Sequence, residues 1–353
     1  MAVKRLRRIL VMFALLLGLG AAAWAIPWTR SRIKAIGAVA ELAGIPFPRP
    51  WARTVAVEET QVAASVTGDL YSGGEDAPVI LFVPGATRRG RDDARVIDAA
   101  TALAEAGRRV FVPELSLYER VFRRADVERL VAAIRALARD GPIGIVGFSY
   151  GGSFALIAAS DAAVAGEVAY VATFGAYYDL THVIQGVTTG STVLDGKLVN
   201  FETVPEARRI LPEAAADLVG EANADELGRA LETSDPSGLS PGATRVYELL
   251  TNTDPRRGDE LIAGLPESIR ETLRAFSPSS HVDGLDVPVF IMQAKKDAAT
   301  PWTEAVLLDR ALPRGRLVML DHFSHVDPPG IGGWLSDGPQ AWRFVSWILD
   351  AQE

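Results

Sequence analysis

The sequence predicts an α/β protein whose core is a mostly parallel, doubly wound sheet. Between residues 54 and 180, short apolar runs rich in β-branched residues alternate with stretches of amphipathic helical pattern, as in a parallel sheet covered by helices. One apolar run, Ile143–Val146, turns through the pentapeptide Gly147–Gly151 (Gly-Phe-Ser-Tyr-Gly) straight into a helical stretch. From about residue 181 to residue 283 the pattern is helical and polar, and strands then resume. The sequence therefore predicts a sheet interrupted by one helical insertion.

The composition limits the classes of function that the chain can have. Its 353 residues suffice for one large domain with an insertion or for two domains. A formal net charge of −8, with acidic residues scattered along the chain, argues against nucleic acid as a partner. The absence of cysteine excludes disulfides, a thiolate nucleophile and cysteine metal ligands. Four histidines are available as a catalytic base, namely His182, His281, His322 and His325.

The N-terminus has the pattern of a membrane anchor. Four basic residues precede the apolar segment Ile9–Ile26, which would cover roughly 27 Å as a helix, about the thickness of a hydrocarbon core. Trp24 and Trp28 fall where an interfacial aromatic belt would lie. We therefore predict an uncleaved signal anchor over residues 1–30, with the catalytic domain on the extracytoplasmic side. The small-x-small pattern of Ala23–Ala25 leaves open a cleaved signal peptide and a secreted form.

A short helix and a stiff linker are expected directly after the anchor. Apolar residues recur at helical spacing over residues 31–43, which predicts an amphipathic helix against the membrane or the domain. Pro46, Pro48 and Pro50 then restrict the residues before them to extended conformations. We assign residues 31–52 to this juxtamembrane helix and proline-rich linker.

The core elements follow from the apolar periodicity and from the glycines and prolines that end each run. Strands are expected at Thr54–Glu59, Gln61–Tyr71, Val79–Val83, Val110–Pro113, Ile143–Gly147, Val168–Phe174, Val287–Met292 and Arg316–Leu320. Helices are expected around residues 93–106, 127–139 and 153–159, in the insertion at Pro205–Val219, Ala243–Leu250 and Glu267–Phe276, and near the C-terminus from residue 300 and over Gln340–Leu349. This alternation predicts helices on both faces of the sheet.

The turn at Ser149 has the features of a nucleophile site. A serine between a buried strand and a helix lies in strained backbone, and Gly147 and Gly151 have no Cβ to collide with the neighbouring strand and helix. The turn lifts the hydroxyl above the sheet edge and places the next N–H groups at a helix N-terminus, where negative charge is favoured. With its strand before and helix after, this Gly-x-Ser-x-Gly resembles the nucleophile elbow of the α/β-hydrolase superfamily.

The resemblance to α/β-hydrolases covers roughly residues 54–350 and implies the organisation of the chain. It implies an α/β-hydrolase fold with a helical cap inserted after the sixth strand, which would exclude water and shape the acyl pocket. We expect the hydrolase core at residues 53–180 and 285–353, and the cap at residues 181–284.

The resemblance also implies which residues act on the substrate. The serine of the elbow is the nucleophile, here Ser149, and the N–H of the next residue, Tyr150, is one oxyanion donor. The second donor comes from the loop after the third strand, which implies Ala86 or Thr87. Many relatives have a histidine before the glycine of this loop, where this chain has Pro84, so which N–H points inward stays open.

The family order of nucleophile, acid and histidine implies the other two catalytic residues. Asp297 follows the strand after the cap and is the expected acid, with Asp179, after the preceding strand, as the alternative. His325 lies several residues beyond the last strand, which leaves room for its loop to swing back over Ser149, and it is the expected base. His322 stands almost at the strand end and is the alternative. We expect no metal and no cofactor, because the two histidines form one short cluster with no third distant ligand evident.

These assignments imply a serine hydrolase that cleaves carboxylic esters through an acyl-enzyme. Its expected substrate is a small-molecule or lipid-like ester. A serine at the elbow argues against dehalogenase or epoxide-hydrolase chemistry, which needs a carboxylate nucleophile. Two alternatives stay open: an acyltransferase on the same triad, and a non-catalytic binding protein on a hydrolase scaffold.

Overall fold

The computed structural model describes residues 26–119, 121–203, 219, 221–327 and 329–352. Within these ranges its ten strands are short, and those in the middle of the main sheet are buried. The strands are β1 (Ala56–Ala63), β2 (Val66–Ser72), β3 (Val79–Val83), β4 (Arg109–Pro113), β5 (Ile143–Phe148), β6 (Val168–Phe174), β7 (Ser191–Leu194), β8 (Lys197–Asn200), β9 (Val289–Ala294) and β10 (Gly315–Leu320).

Eight of these strands form one mostly parallel sheet in the order β1-β2-β4-β3-β5-β6-β9-β10. The β2 strand pairs antiparallel with β1 and β4, and every other neighbouring pair is parallel. The carboxyl ends of β3, β5, β6, β9 and β10 therefore meet at one edge, where open α/β sheets bind their ligands. The predicted α/β class and the mostly parallel sheet are confirmed.

Helices cover both faces of this sheet. They are α1 (Pro27–Leu42), α2 (Ala94–Glu105), α3 (Arg124–Leu137), α4 (Tyr150–Ala159), α5 (Leu180–Thr189), α6 (Glu221–Thr233), α7 (Pro241–Leu250), α8 (Gly258–Ala263), α9 (Glu267–Ala275), α10 (Trp302–Ala311) and α11 (Ile331–Asp350). Side chains alternate along β3, so Ile80 and Phe82 join a buried cluster with α1, α2 and α11. Leu81 and Val83 join the opposite cluster, with α3, α4 and α10.

The chain between β6 and β9 forms an insertion, at the place where the sequence predicts one. Its α7 and α9 match the predicted helices Ala243–Leu250 and Glu267–Phe276 to within two residues. The predicted helix Pro205–Val219 lies outside the described residues except for its last position. The antiparallel hairpin of β7 and β8 is not predicted, although the Asp195-Gly196 turn, with positive φ at both residues, is typical of one.

The prediction of a membrane anchor and an extracytoplasmic catalytic domain is wrong. Among the helices of the described ranges, none is both long enough and apolar enough to cross a membrane. Residues 1–25, which hold most of the predicted span, lie outside those ranges. Where the sequence predicts the end of the span, Pro27 starts α1, because proline suits the first turn of a helix. Trp342 of α11 donates its Nε1–H to the carbonyl of Arg32, which holds α1 against the folded domain.

The last helix begins earlier than the sequence predicts. The sequence predicts it over Gln340–Leu349, and Pro339, directly before that range, lacks an N–H and normally interrupts a helix. The observed α11 starts at Ile331 and contains Pro339 within it. The added turns bury Asp337, which accepts hydrogen bonds from backbone N–H groups directly after β10. Tertiary contacts therefore outweigh the local preference of proline.

Candidate active site

Ser149 lies between β5 and α4 in a conformation that few residues adopt, with φ 51° and ψ −133°. The flanking glycines make this turn possible. A Cβ on Gly147 would come within 2.5 Å of the Cα of Gly152, and one on Gly151 within 2.0 Å of the carbonyl oxygen of Pro84. Any larger residue would force the neighbouring backbone apart. The turn holds the Ser149 side chain at the carboxyl edge of the sheet.

The three residues predicted as nucleophile, base and acid are in hydrogen-bond contact. The Oγ of Ser149 is 2.8 Å from Nε2 of His325. The Nδ1 of the same ring is 2.7 Å from Oδ2 of Asp297. Because a carboxylate accepts at Nδ1, that nitrogen carries the ring proton, and Nε2 is the acceptor for the serine hydroxyl.

Asp297 is held by four hydrogen-bond donors after β9. Its Oδ1 accepts from the N–H groups of Ala299 and Thr300 at 2.9 and 2.8 Å. Its Oδ2 accepts from Nε2 of Gln293 at 2.9 Å, in addition to His325. The side chain is almost fully buried, so its orientation depends on these bonds. They aim one oxygen at the imidazole.

His325 lies at the tip of a tight turn. Its φ is 57°, and around it the Asp327 N–H donates to the Ser324 carbonyl at 3.1 Å while the Ser324 N–H donates to Asp327 at 3.3 Å. Gly175, directly after β6, lies against the imidazole: a Cβ there would be 3.1 Å from the ring carbon between the two nitrogens. The turn and this close contact set the plane of the ring.

The charge state of His325 is tuned by its surroundings. Burial lowers the pKa of this imidazole, but the adjacent Asp297 carboxylate, with Asp327, raises that pKa above its ordinary value of 6.5. A raised pKa makes the ring a stronger base toward the serine proton. It also stabilises the imidazolium that forms when the proton moves.

Both predicted oxyanion donors lie beside Ser149. Tyr150 is the first residue of α4, so its N–H has no carbonyl of the same helix to bind. Gly85 lies so close that a Cβ on it would be 2.9 Å from the Cβ of Ser149. Ala86 follows it and lines the same cavity of about 220 Å³ as Ser149, Tyr150 and His325. The cavity thus lies between the nucleophile and the loop after β3.

The part of the chain that contains this site matches a known protein family. A family model described as the alpha/beta hydrolase fold matches residues 78–328, which is more than half of the chain. The chain belongs to the alpha/beta hydrolase family. The matched range includes Ser149, Asp297 and His325. Membership supports hydrolase chemistry in general and does not specify the bond that is cleaved.

Solved structures of the same fold are similar to this α/β-hydrolase at low identity. An alpha/beta hydrolase superfamily protein from Enterococcus faecalis is 13% identical, with 84% of this chain and 97% of that chain covered and a TM-score of 0.48. The meta-cleavage product hydrolase of Pseudomonas fluorescens is 17% identical, with 84% and 99% covered and a TM-score of 0.45. An acylaminoacyl peptidase of Pyrococcus horikoshii is 12% identical, with 84% and 40% covered and a TM-score of 0.47. No curated protein matches the chain.

The other residues of this α/β-hydrolase that the sequence offers as a catalytic acid or base contact groups other than Ser149. Asp179 caps α5, accepting from the N–H and hydroxyl of Thr181 at 2.9 and 2.6 Å. His322 contacts Asp337 through Nδ1 at 3.3 Å. His182 contacts buried Glu304, and His281 contacts a backbone carbonyl. Among the described residues, the side chain that bonds to Ser149 is that of His325.

Three residues of the site have positions that the sequence analysis does not predict. Gln293 lies inside the otherwise apolar β9, and a polar residue in a buried strand is the signal that could have drawn attention to it. Gly175 follows the strand beside the elbow, where glycine indicates close approach. Arg95 lines the cavity from α2, and no local pattern indicates this.

Proposed function

We propose that this α/β-hydrolase cleaves carboxylic esters through an acyl-enzyme on Ser149, with His325 as base and Asp297 as its carboxylate partner. One observation carries the proposal: the 2.8 Å contact of Ser149 with His325, whose other nitrogen lies 2.7 Å from Asp297. A hydroxyl in contact with a base that a carboxylate orients is the arrangement that activates serine as a nucleophile.

The reaction begins when Ser149 attacks the ester carbonyl. Its hydroxyl proton moves to Nε2 of His325 as the Oγ–carbon bond forms. Asp297 accepts the hydrogen bond from Nδ1 and stabilises the resulting imidazolium. The imidazolium then gives its proton to the leaving alcohol, which leaves an acyl group on Ser149. Water then attacks the acyl group while His325 takes one of its protons. The imidazolium gives this proton to the Oγ of Ser149 as the bond between Oγ and the acyl carbon breaks, which releases the acid and restores the serine.

The negative charge on the carbonyl oxygen has donors close to Ser149. In the proposed role, the N–H groups of Tyr150 and Ala86 bind the oxyanion of each tetrahedral intermediate. Tyr150 lies at the N-terminus of α4, where the helix dipole favours an anion. Such donors act mainly as the charge develops, and one of them can contribute about 3–4 kcal/mol to lowering the barrier.

The size of the cavity supports a short acyl group. Its volume of about 220 Å³ is below the ~300–1,000 Å³ that is usual for pockets holding drug-sized ligands. Ala86, Val96 and Val326 give part of the lining apolar character. We therefore propose small esters as substrates, with an acyl chain of a few carbons.

Ester turnover tests this proposal. We expect hydrolysis of p-nitrophenyl acetate or butyrate to exceed that of the palmitate, and Ser149→Ala to lose at least about 10⁴-fold in kcat. Ser160→Ala, which removes a hydroxyl at the other end of α4, serves as the control and should keep its activity. Turnover that persists undiminished in Ser149→Ala would refute the proposal.

A further inference from the structure

Arg95, in the first turn of α2, contacts carboxylates on two different segments beside the cavity. Its Nε and Nη2 donate to Oδ1 and Oδ2 of Asp93 at 3.0 and 2.8 Å. Its Nη1 donates to Oδ1 of Asp327 at 2.6 Å. A planar guanidinium with several donors suits such a double contact. Arg95 therefore bridges the start of α2 and the turn that carries His325.

On one side, the bridge reaches the loop with the candidate oxyanion donor. Asp93 is buried and caps α2, and its Oδ2 also accepts from the hydroxyl of Thr87 at 2.6 Å. Thr87 follows Ala86 directly. Hydrogen bonds from Arg95, with that from Thr87, hold the pKa of Asp93 well below its ordinary range. Asp93 is thus a fixed anion that joins Thr87 to Arg95.

On the other side, the bridge reaches the turn around His325. Asp327 is mostly exposed, and its backbone exchanges hydrogen bonds with Ser324 across the turn. Its side chain accepts from Arg95, which comes from α2. Arg95 and His325 line the same cavity. The contact thus ties the exposed turn to the body of the domain.

We propose that Arg95 is a positioning residue that holds the His325 turn in register with the loop carrying the oxyanion donor. The inference rests on the proposed function, because it assigns a role in the same reaction. His325 exchanges protons with the serine and leaving-group oxygens, and the oxyanion donors bind the carbonyl oxygen of the same carbon. The two loops must therefore keep a fixed separation. A misplacement of about 1 Å can cost about 10²-fold in rate.

The contact between Arg95 and Asp327 should affect the position of the His325 turn more than the stability of the fold, and it should also affect the pKa of His325. Exposed ion pairs contribute little to folding, which fits a positioning role for the Asp327 contact. Among the charged groups that act on His325, Asp297 and Asp327 raise the pKa of the imidazole and Arg95 lowers it. Removing Arg95 and neutralising Asp327 should therefore move the pKa of His325 in opposite directions.

The experiment compares Arg95→Met, Asp327→Asn and the double variant across pH, with p-nitrophenyl acetate as substrate. We expect Arg95→Met to lower the plateau of kcat/KM by about 10- to 100-fold and to move its acid limb to higher pH. The limb should move to lower pH in Asp327→Asn. In the double variant the acid limb should return toward its wild-type position, because the two opposite effects on the pKa of His325 cancel. The plateau should stay low, because the contact between Arg95 and Asp327 is absent.

A matched control separates this effect from general destabilisation. Arg91→Met removes an arginine that contacts Glu59, Asp69 and Glu114, away from the His325 turn. It should keep the wild-type plateau and acid limb. A plateau in Arg95→Met within twofold of Arg91→Met, or acid limbs that shift the same way in both single variants, would overturn the inference.

Amide hydrogen exchange provides a readout that needs no substrate. Peptides covering residues 322–327 should exchange faster in Arg95→Met than in the wild type, whereas Arg91→Met should leave them unchanged, because of these two arginines it is Arg95 that bonds to Asp327 in the turn. Equal exchange of these peptides in the wild type, Arg95→Met and Arg91→Met would overturn the inference that Arg95 holds the turn. Since this measurement is made without ester, failure of the bridge is distinguished from failure of ester hydrolysis.

Discussion

Positive φ angles occur at the two residues that exchange the proton in the proposed reaction. Among residues with assigned positions, the non-glycine residues with positive φ are Ser149, Asp195, Ser234 and His325. Asp195 and Ser234 lie in turns of the insertion, where short polar residues tolerate this conformation. Ser149 and His325 instead face each other at 2.8 Å. The surrounding fold stabilises this strain because it brings the two side chains together.

Gly175 provides a residue-level prediction. In Gly175→Ala the new Cβ would meet the His325 ring at about 3.1 Å, so the imidazole must shift away from Ser149 or Asp297. We expect a fall of about 10-fold in kcat/KM, measured with a short ester, in addition to a loss of ~1 kcal/mol in the free energy of unfolding from the positive φ.

Gly166→Ala is the matched control for this change. Gly166 also has a positive φ, of 86°, but a Cβ there has no neighbour within 4 Å. Gly166→Ala should lose about as much free energy of unfolding as Gly175→Ala and keep the wild-type kcat/KM. Equal activity in the two variants would show that Gly175 does not set the position of the ring.

At the scale of elements, the start of the histidine loop is determined by a helix that follows it in the chain. Asp337 of α11 accepts from the N–H of Asp321 at 3.0 Å and from that of His322 at 2.8 Å. These two N–H groups come directly after β10. The buried carboxylate thus holds the point from which the chain leaves the sheet toward His325. It also accounts for the helical turns before Pro339.

Asp337→Asn tests this role. An amide has one acceptor oxygen where the carboxylate has two, so one of the two backbone N–H groups loses its partner. We expect the free energy of unfolding, measured by urea denaturation, to fall by about 1–3 kcal/mol. Asp98→Asn, on the exposed face of α2, should change it by less than ~0.5 kcal/mol. A similarly small change in Asp337→Asn would contradict the account.

At the scale of the whole molecule, the sheet and the candidate triad could be predicted from the sequence because each depends on local signals. Buried parallel strands are continuous apolar runs, and the bend at Ser149 is marked by its own glycines. The order of Asp297 and His325 after successive strands predicts both residues, because parallel strands bring such positions to one edge of the sheet. The structure places His325 against Ser149 and Asp297 against His325, whereas their catalytic roles stay proposals.

Other features could not be predicted because they depend on contacts between distant parts of the chain. Arg95 and Asp327 are 232 residues apart, and neither lies in a recognisable motif. The docking of α1 on α11 joins residues that are 310 positions apart, and the apolar N-terminal pattern favoured a membrane helix instead. The hairpin after α5 did have a local signal, its Asp-Gly turn, which the polar helical context obscured.

The most direct test of the central claim is the site of covalent labelling by a fluorophosphonate, which reacts with activated serines. Peptide mass mapping should find one adduct, on the peptide that contains Ser149, and none in Ser149→Ala. In His325→Ala the labelling should slow by orders of magnitude, because the hydroxyl loses its base. An unlabelled wild-type protein, or equal labelling of Ser149→Ala, would contradict the assignment of Ser149 as the nucleophile.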